Sequence, residues 1–182
     1  MKREIASDHP LRHYFVETLH DSLATKLAVE ASEEVEAYLS DLMVSFMDMD
    51  NVFKIRDPFG APVHTIAEMV VEGDVRLNAS SFDREREVHR HIGDFLLFWS
   101  GLFPEFLNGV KAAGNDVLLN PVQQGRYSYH VVSTFDHDPY AEEAPLFEEL
   151  SRHFEDYRYG LSLVRASFEG FARQGWMDGF QA

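Results

Sequence analysis

A chain of 182 residues with 45% hydrophobic and 26% charged side chains has the composition of one globular domain rather than a disordered tail. Its 31 Asp and Glu against 16 Lys and Arg leave a formal charge of −15, which repels phosphate backbones and anionic bilayers, so neither nucleic acid nor a membrane is an expected partner. With no cysteine there are no disulfides, thiolate nucleophiles or thiolate metal sites, and the 15 Phe predict an aromatic core.

The opening "MKREIASDHPLRHYF" has no apolar segment behind its basic residues, so no secretory signal is expected. Asp8 or His9 suits the cap of a first helix, with Pro10 in its opening turn. Leu11, Phe15, Leu19 and Leu23, with Val16 and Leu27 beside them, form its apolar stripe. Ser32 caps a second helix whose first turn is acidic (Glu33, Glu34, Glu36), and Val35, Leu39, Leu42, Phe46 and Met49 mark its apolar face. In "NVFKIRDPFGAPVHTI", Val52, Phe53 and Ile55 suit a strand and "DPFG" suits a turn, so one short hairpin is predicted near residues 52–64.

Thr65 and Glu68 spell a capping box for a third helix running to about Asn78. Ser80 or Ser81 starts a fourth, which Gly101 is expected to stop; Pro104 opens a shorter fifth that frays near "GVKAAGND". Asn120-Pro121 is another helix start, although Tyr, Val and Thr in "QQGRYSYHVVSTF" also favour strand; helix is preferred for residues 121–136. Leu146, Phe147, Leu150, Phe154 and Tyr157 mark one more amphipathic helix, and a last runs from about Leu161 to Phe171 before a loosely ordered tail over 172–182. The sum is a single all-α, bundle-like domain of about seven helices.

The stretch "FDREREVHRHIGDFLLFWSGLFPEF" from Phe82 to Phe106, which carries the fourth helix (Phe82–Ser100), changes character halfway. At about 100° per residue, Val88, Ile92, Phe95, Leu96 and Trp99 converge on one side, while Leu97 and Phe98 make the C-terminal half apolar all round. Such a helix is normally wrapped by protein and is expected at the centre. Arg86, Arg90 and Asp94 fall on the opposite, solvated side, with Glu87 and His91 at its flank as an i,i+4 pair. Glu85 and His89 point towards the buried side, where they either pair with each other or form half of a site.

A carboxylate-bridged di-metal bundle needs inward Glu and His from several helices, usually with two Glu-x-x-His motifs. This chain has one, Glu17 with His20, and two i,i+4 pairs, Glu85/His89 and Glu149/His153. His20, Glu85, His89, Glu149 and His153 are therefore the candidate metal ligands, for iron, manganese or zinc. Arg126, Tyr127, Tyr129 and His130 are of the types that line small-molecule pockets and are the candidate ligand-binding residues. "DMDN" begins like a calcium loop but lacks its turn glycine and closing Glu. No P-loop, dinucleotide-binding glycine pattern, G-x-S-x-G or H-E-x-x-H occurs.

The runs "AEMVVEGDVRLNASSFDREREVHRHIGDFLLFWSGLFPE" and "STFDHDPYAEEAP" resemble segments of uncharacterised bacterial proteins of similar length. The resemblance implies a bacterial, cytoplasmic origin and no particular activity or cofactor. With no complete catalytic constellation, the expected function is partner binding or self-association as a homo-oligomer. The alternatives are a metal-dependent enzyme and a small-molecule-binding protein.

Overall fold

In a computed structural model of the chain, which describes residues 10–27, 31–107 and 120–179 (side chains over 12–24, 31–107 and 120–170), several helices begin at side-chain caps. The Ser32 hydroxyl accepts the Val35 amide and starts α2 (Glu33–Ser45); the Ser81 hydroxyl accepts the Arg84 amide and starts α5 (Phe82–Leu102). Thr65 and Glu68 exchange both bonds of a capping box at α4 (Ile66–Glu72), and Asn120 accepts the Val122 and Gln123 amides at α6 (Pro121–Ser133). Each cap satisfies amides that the first helical turn leaves unpaired. The remaining elements are α1 (Pro10–Asp21), continued by a π-helical segment Ser22–Leu27, then α3 (Met49–Val52), α7 (Ala144–Arg152) and α8 (Phe154–Gly179). Residues 104–107 are also helical.

The architecture is all-α, with α5 at its centre, packed against α2, α4, α6 and α8. Ile92 and Leu96 on one side of α5, and Leu97 and Phe98 on the others, are all buried, as its all-round apolar half demands. Missing side chains let the helices come close. A Cβ on Gly93 would sit 2.6 Å from the Tyr129 ring, and one on Gly125 would sit 2.4 Å from the Phe154 ring. Both distances lie far inside van der Waals contact, so α5, α6 and α8 can meet as they do only with glycine at these positions. Among the described residues no helix is long and apolar enough to cross a membrane.

Several boundaries differ from the sequence expectation. The hairpin near 52–64 is absent as a strand pair. Asp57–Gly60 does turn, with Gly60 at φ 86°, but pairing is limited to one isolated bridge between Arg56 and Pro62. Val52, read as strand, ends the short helix α3, and Met49, read as part of the second helix, begins it. α4 stops at Glu72, with Gly73 at its C-cap, instead of near Asn78. Gly101 does not stop α5, since it lies within the last turn and serves a close contact with Leu161. The break expected after Tyr157 falls at His153, and α8 then continues through Gly160 and over 172–179, expected as a loose tail. The ambiguous run after Pro121 is helical as α6. The cap at Asp8 or His9 and the fraying over 109–116 fall outside the described residues.

Candidate functional site

Three segments enclose a cleft of about 760 Å³. Tyr38, Leu42 and Ser45 recur along one face of α2, and Arg84, Glu87, Arg90 and Asp94 along one face of α5, each set at helical spacing. Phe46, Asn51 and Lys54 form the third wall, and Tyr140 closes one end. That wall is tied down locally. The Asn51 side-chain amide donates to the Ser45 carbonyl at 3.0 Å, and Arg84 donates to the Arg56 carbonyl at 3.0 Å. His91 fastens it from within. Its Nε2–H donates to the Val52 carbonyl at 3.0 Å, capping an orphan acceptor at the end of α3.

The tautomer of His91 follows from chemistry, because a carbonyl can only accept. Nδ1 is therefore the bare nitrogen, and it is buried without a partner. Burial, reinforced by Lys54 and Arg84, pushes the imidazole pKa down to about 3, so His91 is neutral.

The floor of the cleft is a buried acid. The Tyr38 hydroxyl donates to Asp94 Oδ1 at 2.6 Å and the Tyr129 hydroxyl to the same oxygen at 2.9 Å. The Tyr38 oxygen in turn accepts from Arg90 Nε at 3.2 Å. Burial raises the Asp94 carboxyl above its usual range, against the pull of Arg90 and the two hydroxyls. The same burial, with Asp94 beside them, raises both tyrosines well above theirs. Gly93 is part of this arrangement, since its bare Cα is what lets the Tyr129 ring reach the acid.

Arg86 and Asp94, expected on a solvated face, are each only 6% exposed. The guanidinium of Arg86 lies 3.9 Å above the Tyr140 ring and bonds Glu143 at 2.6 Å. His91, expected to pair with Glu87 at the surface, is fully buried, and Glu87 pairs with Arg84 at 2.9 Å instead. In a chain of net charge −15, four of the 16 Lys and Arg (Lys54, Arg84, Arg86 and Arg90) converge on this one concavity.

The candidate metal ligands lie elsewhere. His20 is exposed and pairs with Glu36 of α2 at 2.9 Å, which raises its pKa. Glu149 accepts the Tyr157 hydroxyl at 2.7 Å and the Ser32 amide at 3.1 Å. Although burial opposes it, these donors hold the Glu149 carboxyl below its usual range. His153 contacts Asp156 at 3.2 Å. His89 is buried and shares a 3.3 Å contact with Ser128, not with Glu85, and burial lowers its pKa. Glu85 is half-buried, and burial with Asp74 nearby raises its pKa. Among the described residues no three His, Asp or Glu side chains gather closely enough to hold a metal ion.

The four candidate ligand-binding residues share α6 but not a face. Tyr129 points into the core, Arg126, Tyr127 and His130 are exposed, and none lines the cleft. Sequence reasoning missed Lys54, Arg84, Arg86, Arg90 and Asp94 as a group. The available signal was the i, i+4 repeat of Arg86, Arg90 and Asp94 beside an apolar stripe, which fits a wet face equally well.

Comparison with protein-family models, curated proteins and solved structures yields no match to this chain.

Proposed function

We propose that the chain is a helical binding protein for a small polar molecule, which it holds in the α2–α5 cleft. The observation that carries this is the convergence of Lys54, Arg84, Arg86 and Arg90 on one concavity of about 760 Å³ above the buried Asp94. Small-molecule sites typically enclose roughly 300–1,000 Å³ and fix their ligand with a few placed polar groups. Burying a carboxylate is costly unless it is hydrogen-bonded, and here two tyrosine hydroxyls hold Asp94 at the floor of the cleft. The lining offers four cations and four carboxylates, groups that fix a polar ligand by charge and hydrogen bonds.

The test is a thermal-shift screen of polar small molecules of all charge types on the wild-type chain and on Ser45→Trp, which fills the cleft. Stabilisation of the first and not the second is expected. Equal responses, or none in the whole collection, would remove the cleft from consideration.

Self-association is a second reading, favoured by one feature. Phe59 and Phe82 are 95% and 68% exposed, and the Arg84–Arg56 bond brings their two segments together. Exposed large apolar side chains mark a contact surface where they form one contiguous patch. Light scattering over a concentration series, with Phe59→Ser/Phe82→Ser as control, checks it. A mass that stays monomeric throughout would remove this reading.

A further inference from the structure

The lining groups of the cleft are not equally engaged, and that imbalance defines the class of ligand. Three of its four carboxylates are held by partners within the chain: Asp41 by Arg12, Asp83 by the Tyr140 hydroxyl at 2.8 Å, and Glu87 by Arg84 at 2.9 Å. The fourth, Asp94, receives both tyrosine hydroxyls on Oδ1. Among the described residues no hydrogen bond ends on its Oδ2, although Asp94 lines the cleft. One acceptor is thus left over at the floor.

The cations differ in the same way. Arg84 is committed to Glu87 and to the Arg56 carbonyl. Arg86 donates to Glu143, and its Nε is buried without a partner. Arg90 spends only Nε, on the Tyr38 hydroxyl; its nearest carboxylate is Glu143, 3.8 Å from Nη1 and beyond hydrogen-bond reach. The Arg90 side chain is 37% exposed and lines the cleft; beyond the 3.8 Å ion pair with Glu143 and the nearby Tyr38 and Phe147 rings, its two terminal nitrogens make no hydrogen bond among the described residues. A guanidinium fork matches the paired oxygens of a carboxylate or phosphate. The Tyr38 hydroxyl bonds both Arg90 Nε and Asp94 Oδ1, so it ties the two side chains together at the cleft.

We infer that the ligand is a small organic oxyanion, a carboxylate or phosphate, with a hydroxyl or amino donor on a neighbouring carbon. The oxyanion sits on the Arg90 fork and the donor on Asp94 Oδ2. A bare anion fits poorly, because it brings no donor for Asp94. A simple cation fits poorly, because the other lining carboxylates already have partners. This rests on the cleft being the ligand site and specifies what enters it.

The experiment is isothermal titration calorimetry with three probes, lactate, serine and glycerol 3-phosphate, against propionate and inorganic phosphate, which lack the neighbouring donor, and ethanolamine, which lacks the oxyanion. At least one of the first three is expected to bind, with its donor-lacking counterpart weaker by about 10- to 100-fold, the range of one hydrogen bond to a charged group. Lactate or serine binding alone identifies a carboxylate ligand, and glycerol 3-phosphate binding alone a phosphate; either supports the inference. Arg90→Gln should lower the affinity by a similar factor. Arg90→Lys, which keeps the charge and loses the fork, should not restore it, in chains whose melting curves match the wild type. Binding that survives Arg90→Gln, or equal binding of propionate and lactate, overturns the inference. Binding of ethanolamine alone also overturns it while leaving the cleft as a ligand site. No binding by any probe, together with an empty thermal-shift screen, ends both.

Discussion

Acidification should loosen this fold through His91, and the size of the effect follows from its surroundings. The imidazole is fully buried between the Phe46 and Phe95 rings, donates to the Val52 carbonyl, and faces Lys54 and Arg84. Its pKa is about 3 in the folded chain against an ordinary value of 6.5. As pH falls the unfolded chain takes up the proton first, so stability is intact above the unfolded pKa and is lost as pH drops towards the folded one. Between pH 7 and pH 5 this single linkage amounts to about 2 kcal/mol. The control is His91→Gln, whose amide can still donate to Val52 but does not titrate. Urea unfolding followed by circular dichroism at several pH values should show the wild type losing about 2 kcal/mol more than the variant over that interval. The variant starts from a lower stability, but the slope is what is read. Parallel pH dependence of the two chains would show that His91 is not held neutral by burial, and the account of how α3 is fastened to α5 would fail with it.

Two further outcomes test the packing around the cleft floor. Gly125→Ala places a methyl 2.4 Å from the Phe154 ring, and overpacking of this kind should cost about 1–3 kcal/mol; a change under half a kcal/mol in urea titration would mean the α6–α8 approach is looser than described. Tyr129→Phe removes one of the two donors to buried Asp94, with an expected loss of about 1.5–3 kcal/mol. That loss should shrink at low pH, where Asp94 takes up a proton; a pH-independent loss would argue against an ionised acid at this position.

Helix starts were legible because capping is local. Ser32, Thr65 with Glu68, Ser81 and Asn120 each bond an amide two or three residues away, a distance that sequence spacing reports directly. Helix ends were not legible wherever glycine was involved. Gly101 read as a stop and a break was expected between Tyr157 and Leu161, yet Gly101 and Gly160 each serve a close approach to a residue far along the chain, Leu161 and Leu23 respectively. The turn at Asp57–Gly60 was visible in its residue types, but strand pairing depends on the flanks, and Val52 is drawn into α3 where His91 caps it. The cleft was illegible for a related reason. Periodicity correctly grouped Arg86, Arg90 and Asp94 on one side of α5, but whether that side meets water or α2 and the 46–56 segment is decided by tertiary packing. The Glu/His pairs show the converse, since i,i+4 spacing put Glu85 near His89 and yet His89 turns to Ser128 on α6.

The claim that the cleft binds a small oxyanion is tested most directly by following the arginine Nε–Hε signals in a two-dimensional NMR titration with lactate and with glycerol 3-phosphate. One of the two should shift the Arg90 signal in a saturable manner, with that of Arg86 beside it, while Arg152, paired with Glu148 on the far surface of α7, stays in place. An unmoved Arg90 signal, or equal drift of all the arginines, would contradict the placement of an oxyanion ligand in the α2–α5 cleft.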